Sequence, residues 1–226
     1  MSLSEFEIIT KYFSSLKGAD HIRVGPGDDG AVLDIPQGHS LHISTDTFAE
    51  GVHFLVGMMA SDIAYRSVAG AASDLAAMGA SPLGMLLAIS LPEADSDWLA
   101  GFSEGLMHAS AEFGLPLVGG DTSRGGFVIT VTVLGFAPSG KTLTRNGASV
   151  GDRVCVSGTV GDAAAGLALL RGDLRREGID ESPLDELLQR FLRPTPRLQL
   201  GQSLRSFASS AIDISDGLLA DAAHLA

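Results

Sequence analysis

Ser44, Thr45 and Asp46 stand side by side in Ile43–Phe54, where an alternating strand drops into a polar turn that runs on to His53. A carboxylate flanked by hydroxyls just beyond a strand offers the hard oxygen ligands that Mg²⁺ takes, and a nearby His can orient an anion. The same three residues also make a capped turn, which is the commoner use of Ser-Thr-Asp. The other acids bear on that choice if they converge on the same place. Asp28 and Asp29 lie in a tight loop framed by Gly25, Pro26, Gly27 and Gly30. Asp74 falls near the C-terminal end of a small-residue helix, where the helix dipole disfavours a carboxylate by about 0.3–1 kcal/mol. It therefore needs a cation, a buried Arg or a cluster of backbone N–H groups. In Gly119–Gly126, Gly119 and Gly120 let the backbone approach a phosphate, Asp121 can bind a cation and Arg124 can reach an anion. Asp213 and Asp216 occupy a strand-to-helix junction, where helix N–H groups and acids can share a phosphate and metal assembly.

These residues must be carried by a folded core. A chain of 226 residues, 45% hydrophobic and 19% charged, can bury one, and its length allows one large domain or two. The net charge of −12 excludes sequence-independent nucleic-acid binding, which needs a basic footprint. It is compatible with phosphate chemistry if the acids hold cations. The longest apolar run is too short to span a bilayer, and Met1–Thr10 does not read as a signal peptide. Cys155 is the only cysteine, so no intrachain disulfide forms, and a cytoplasmic location is expected. Neither internal repeats nor low-complexity segments are evident.

Periodicity predicts a helix over Ser4–Phe13 capped by Ser4, with Phe6, Ile9 and Phe13 on one side. His39–Thr45 alternates as a strand with one buried side, Leu41 and Ile43 facing one way and His42 and Ser44 the other. A helix over Ser61–Met78 is capped by Ser61 and closed by Gly79. Leu83–Leu91 reads as a strand covered on both faces, and Ser96–Phe113 as a helix whose stripe is Trp98, Phe102, Leu106, Ala109 and Phe113. A short strand at Leu115–Val118 leads into the glycine-rich loop, and a long strand follows at Phe127–Phe136. Gly135–Thr142 satisfies the Walker A spacing, but Leu143–Ser149 carries an Asn-Gly turn and no helical period, so a P-loop is not expected. Arg145 remains a candidate nucleotide phosphate contact.

Residues 149–226 open a second unit after an N-terminal domain over 1–148. It is read as a strand at Gly151–Ser157, a helix at Gly161–Leu170, a charged linker at Arg171–Pro183, helices at Leu184–Phe191 and Leu198–Phe207, and a buried strand at Ala211–Ile214 leading to a last helix. That inventory does not close a domain, so the unit reads as incomplete.

Six motifs in this order carry a family resemblance. They are Gly-Asp-Asp at 27–29, Ser-Thr-Asp-Thr at 44–47 with Gly-Val-His-Phe at 51–54, Ser-Asp-Leu-Ala-Ala-Met-Gly-Ala at 73–80, Gly-Gly-Asp-Thr-Ser-Arg-Gly at 119–125, Leu-Thr-Arg at 143–145 and Ile-Ser-Asp-Gly-Leu at 214–218. Together they resemble thiamine-monophosphate kinase over the whole chain. They set it apart from aminoimidazole ribonucleotide synthetase and from selenophosphate synthetase, whose reactive N-terminal Cys is missing here.

The resemblance implies transfer of the γ-phosphoryl group of ATP to thiamine monophosphate with several Mg²⁺ ions. The chemistry agrees, since attack of one phosphate on another rests on charge neutralisation and alignment by metals more than on a protein general base. It implies metal ligands at Asp29, Ser44, Thr45, Asp46, Asp74, Asp121, Asp213 and Asp216. Asp46 and Asp121 would be catalytic, Gly120, Asp121, Arg145 and Ser215 would contact ATP, and His53 would meet the thiamine substrate. It further implies a mixed α/β (α+β) fold whose N-terminal sheet forms a β-barrel with its twin in a homodimer, followed by a second α+β domain. The chain departs from the family in lacking a Gly-Gly-Glu-Asp-type motif, expected in roughly a hundred further residues, and in carrying Ala71 where an Asn is common. A catalytically silent nucleotide- and metal-binding dimerisation domain, or another ATP-using member of the superfamily, are the alternative readings.

Overall fold

The computed structural model describes residues 5–13, 19–174 and 180–225; the Ser4 cap and the Phe6 side chain lie outside them, as does 175–179 of the linker. Helical residues open the chain in α1 (Glu5–Ile8), continued by a wider turn over Ile9–Phe13. A small antiparallel pair, β1 (Ile22–Val24) and β2 (Val32–Leu33), brackets the Asp28 and Asp29 loop.

The main sheet has four strands in the order β3-β6-β4-β5: β3 (His39–Ala49), β4 (Ser81–Leu91), β5 (Leu117–Arg124) and β6 (Val128–Pro138). Only β4 and β5 run parallel, joined through helix α3 (Ser96–Phe113). The sheet is open at β3 and β5, and within this chain it does not close into a barrel.

Helix α2 (Ala60–Ala77) lies against β3, β6 and β4, with α3 packed beside it. Close approach fixes this pair: a Cβ on Gly105 would sit 2.1 Å from the Ser61 carbonyl oxygen. Ser61 is therefore a packing residue in the first turn and not the N-cap, which is Met59 with no side-chain hydrogen bond. The α3 stripe is core, with Phe102 fully buried under the stacked ring of Trp98. Asp95 caps α3 by accepting from the Trp98 N–H at 2.7 Å, and Gly114 ends it at φ 66°.

Which side of β3 is buried is the informative difference. His42 is buried, hydrogen-bonded to the Ser40 carbonyl and to Thr142 Oγ1, while Leu41 and Ile43 are exposed. The apolar side faces away from the helices because α2 covers the opposite face, where Ser44, Asp46 and Phe48 lie. Across the sheet, Leu41 pairs with Phe136, Ile43 with Leu134, Thr45 with Thr132 and Thr47 with Thr130. Likewise β4 is not covered on both sides, since Ala88 is exposed. The loop expected after Val118 is strand as far as Arg124, because β4 supplies a ladder beside it.

The rest of the chain packs on the outside of α2. Helices α4 (Asp162–Arg171) and α5 (Glu181–Leu192) cross so closely that a Cβ on Gly166 would lie 2.1 Å from the Leu187 carbonyl oxygen. Pro183 opens α5 instead of closing the linker, since a missing N–H is tolerated in the first turn. Asp62 on α2 pairs with Arg193 just beyond α5 at 2.7 Å. Helix α6 (Leu198–Leu204) also lies on α2, and α7 (Leu218–Ala223) follows. Residues 151–157 and 211–214 are not strands: among the described residues no strand ladder forms with either segment, 211–214 keeping a single backbone hydrogen bond from the Ala211 N–H to the Thr144 carbonyl oxygen, and 151–157 is exposed throughout. Among the described residues no helix is long and apolar enough to cross a membrane.

A carboxylate cluster as candidate active site

Asp46, Asp74 and Asp213 come from β3, α2 and the segment before α7, and they meet in one electrostatic neighbourhood. Burial pushes the Asp46 carboxyl above its usual range, the charges of Asp74 and Asp213 push it further, and His53 opposes them. Asp213 is raised in the same way by burial and then by Asp74, with a hydrogen bond from Ser73 opposing and Asp221 adding to the rise. Like charges gathered in partly buried surroundings are the arrangement a cation stabilises.

Ser44 orders the first of these contacts. Its hydroxyl donates to the Asp74 carboxylate, joining β3 to α2 at the point where the helix dipole disfavours an acid. Among the described residues no buried Arg performs that service. Arg66, the cation of α2, turns the other way, donating to the Phe191 carbonyl oxygen with its guanidinium 4.1 Å from the Phe191 ring centroid.

Thr45 is separated from its neighbours by strand alternation. Its hydroxyl is on the open face, 2.9 Å from that of Thr132, so only its backbone is available on the Asp46 side. His53 follows in the turn after β3, its ring edge-on to Phe48. The Ala49 N–H donates to its Nδ1 at 3.0 Å, which leaves the proton of a neutral ring on Nε2.

Sheet register relates the cluster to the glycine-rich stretch. Asp46 pairs with Val131, Val131 with Leu87, and Leu87 with Gly120, a row across all four strands. Three strand spacings make that row about 14 Å long. Asp121 lies in the next row, with Ala88, Thr130 and Thr47. Gly120 is required: at φ 155°, its Cβ would stand 1.8 Å from the Leu87 carbonyl oxygen.

Arg145 is exposed in a short turn over Arg145–Gly147. Ser210 Oγ reaches the Thr144 and Arg145 carbonyl oxygens at 2.9 and 2.8 Å, tying this turn to the segment that leads into Asp213. Asp29 stays in its exposed loop, where its N–H donates to Asp28 Oδ1. Asp216 and Ser215 are exposed beside Asp213. The Walker-like residues form only a turn, with the Lys141 N–H donating to the Pro138 carbonyl oxygen and no α-helix following.

Two contributors were not legible beforehand. Ser73, next to Asp74, donates to Asp213. Asp221, 4% exposed, accepts the backbone N–H groups of Ser215, Asp216 and Gly217 at 2.9, 3.0 and 3.1 Å. An acid within the first turn after an Asp-Gly loop was the available sign of the second.

Among the described residues, no three Asp, Glu, His or Cys side chains stand close enough to hold one ion between them. That suits Mg²⁺ in phosphoryl transfer, which is held by one or two carboxylates with water and substrate phosphates completing the shell. The oxygen donors of Asp46, Asp74 and Asp213 suit such ions, each ion taking one or two of these carboxylates, with Ser44 hydrogen-bonded to Asp74.

Comparison with known proteins agrees with the geometry. Residues 27–137 match the family described as AIR synthase related protein, N-terminal domain. The chain is 45% identical to thiamine-monophosphate kinase of Escherichia coli (strain K12), over all of this chain and 69% of that protein. It superimposes on the crystal structure of thiamine-monophosphate kinase from Stenotrophomonas maltophilia K279a with a TM-score of 0.87 at 43% identity, covering 100% of this chain and 72% of that one. A structure of AaThiL complexed with AMPPCP and TMP matches with a TM-score of 0.77 at 34% identity, over 100% of this chain and 71% of that one. The chain belongs to the thiamine-monophosphate kinase family.

Proposed function

We infer that this protein transfers the γ-phosphoryl group of ATP to the phosphate of thiamine monophosphate, giving thiamine diphosphate and ADP. Membership of the family and the complex of a relative with AMPPCP and TMP support the reaction. The observation that carries the chemistry is the meeting of Asp46, Asp74 and Asp213 from three separate elements. Joining two phosphate groups concentrates negative charge, and bound Mg²⁺ supplies the neutralisation and alignment that this step needs.

In this reading Asp46, Asp74 and Asp213 are the central metal-side carboxylates, and Ser44 holds Asp74 in position. Thr45 takes part through its backbone, and Asp29, Asp121 and Asp216 are metal contacts at the periphery. Gly120, Asp121, Arg145 and Ser215 are the nucleotide side, with Gly120 in the row of Asp46 and the Asp121 carboxylate on the open face of the sheet with Thr47 and Thr130. The Nε2–H of His53 is positioned to donate to the acceptor phosphate, since Nδ1 is occupied by the Ala49 N–H.

Residues 1–148 are proposed as the nucleotide-binding and dimerisation domain, and 149–226 as the start of a second α+β domain. The exposed strip of Leu41 and Ile43, with Leu134 and Phe136 beside it, supports a homodimer in which two sheets face each other as a barrel. A cytoplasmic location goes with the use of ATP. Incubating the full-length protein with ATP, Mg²⁺ and thiamine monophosphate tests the reaction: thiamine diphosphate and ADP should appear in equal amounts. Nucleotide binding without turnover would instead mark a silent binding domain.

A further inference from the structure

We propose that Asp221 is a positioning residue of the active site, an internal anion that fills the N–H cradle of residues 215–217 and so fixes Asp213 and Asp216 as metal-side carboxylates. The inference rests on the reading of Asp213 as a metal ligand.

A glycine-containing loop that opens a helix turns several backbone N–H groups to one point, and such a cradle ordinarily takes a phosphate oxygen. Here the point is already filled. One oxygen of Asp221, Oδ2, accepts all three N–H groups, and the side chain is buried at 4% exposure while Ile214–Gly217 are exposed around it. With its donors committed to Asp221, the segment has no backbone N–H left at 215–217 to offer a nucleotide. What it presents outward is the Asp216 carboxylate, with Asp213 behind it, hydrogen-bonded to Ser73. The loop therefore serves cations, and its phosphate contacts must run through them or through side chains.

The carboxylate is specific to this task. Asparagine has the same shape and one acceptor oxygen but lacks the charge that holds three donors at once, and leucine has neither. Asp221→Asn and Asp221→Leu are compared with Asp213→Asn in the full-length protein. The readouts are amide hydrogen exchange at 215–217 without metal, Mg²⁺ binding by calorimetry in the presence of a non-hydrolysable ATP analogue, and the melting temperature. Asp221→Asn is expected to speed exchange at Ser215, Asp216 and Gly217 at least tenfold and to weaken Mg²⁺ binding about tenfold, the range seen when a residue supporting a ligand is lost. If Asp221→Leu does not fold, Asp221→Asn decides alone. Unchanged exchange at 215–217, or faster exchange with unchanged Mg²⁺ affinity, overturns the role of Asp221. Should Asp213→Asn also leave Mg²⁺ affinity untouched, the metal reading of the site fails with it, and the exchange data still report whether Asp221 organises the loop.

Discussion

The hydroxyl of Ser44 on β3 donates to the carboxylate of Asp74 on α2, a contact that spans 30 residues of sequence and joins the exposed edge strand to the central helix. It fixes an acid at the helix end where the dipole opposes one, and it aims that acid at Asp46 and Asp213.

Removing the Ser44 hydroxyl should therefore disorder a ligand more than it disturbs the fold. Ser44→Ala is expected to lower kcat/KM about 10- to 100-fold and to raise the Mg²⁺ concentration for half-maximal rate. Steady-state kinetics across a Mg²⁺ series checks this; a rate and Mg²⁺ dependence equal to the parent would remove Ser44 from the site.

Asp46 is crowded by two other carboxylates, so its charge costs stability until a cation arrives. Asp46→Asn should reduce turnover by at least about 100-fold and, without metal, raise the melting temperature by about 2–4 °C. With Mg²⁺ and nucleotide the stability gain should vanish or reverse. Differential scanning calorimetry with and without Mg²⁺ tests the sign.

Gly120 has no room for a side chain. Its Cβ would overlap the Leu87 carbonyl oxygen at 1.8 Å in a backbone conformation that other residues avoid. Gly120→Ala should cost about 3 kcal/mol or more, since the strand itself must move. Urea denaturation reads the loss, and a change below about 1 kcal/mol would mean that β5 shifts freely.

Lys141 satisfies a phosphate-binding sequence pattern but opens no α-helix. Lys141→Ala should leave nucleotide affinity within about twofold, because no helix N-terminus is there to present a phosphate to it. Loss of ATP binding by calorimetry would restore the P-loop reading.

The contact between the two halves of the chain includes a partly buried ion pair. Asp62 and Arg193 meet at 2.7 Å, with Arg193 also 3.2 Å from His108 Nδ1. Asp62→Ala should destabilise the protein by about 1–3 kcal/mol, as it strands a charged donor. A double-mutant cycle with Arg193→Ala should recover part of that loss.

Much of this protein is written locally. The α3 stripe, its Gly114 stop and the alternation of β3 follow from side-chain period and backbone freedom, so they are legible in residues a few positions apart. Asp74 and Asp213 were legible too, because they stand beside small residues near element ends, and six motifs in order point to one family; Asp46 instead lies inside β3, with Thr47, Phe48 and Ala49 still paired beyond it, and not in the turn that Ser-Thr-Asp suggests. What local sequence could not determine is which face of β3 is covered. Leu41 and Ile43 are the apolar face, yet α2 packs on the side of His42, Ser44 and Asp46. Nor could it foresee that 119–124 is strand, since that depends on β4 lying alongside, or that 151–157 is not, since nothing among the described residues pairs with it. The gathering of three carboxylates is likewise a tertiary outcome. Local propensity sets where an acid can stand on its own element, and only the packing of α2 against β3, with the segment before α7 beside them, sets how far apart the charges are and so how strongly they call for a cation.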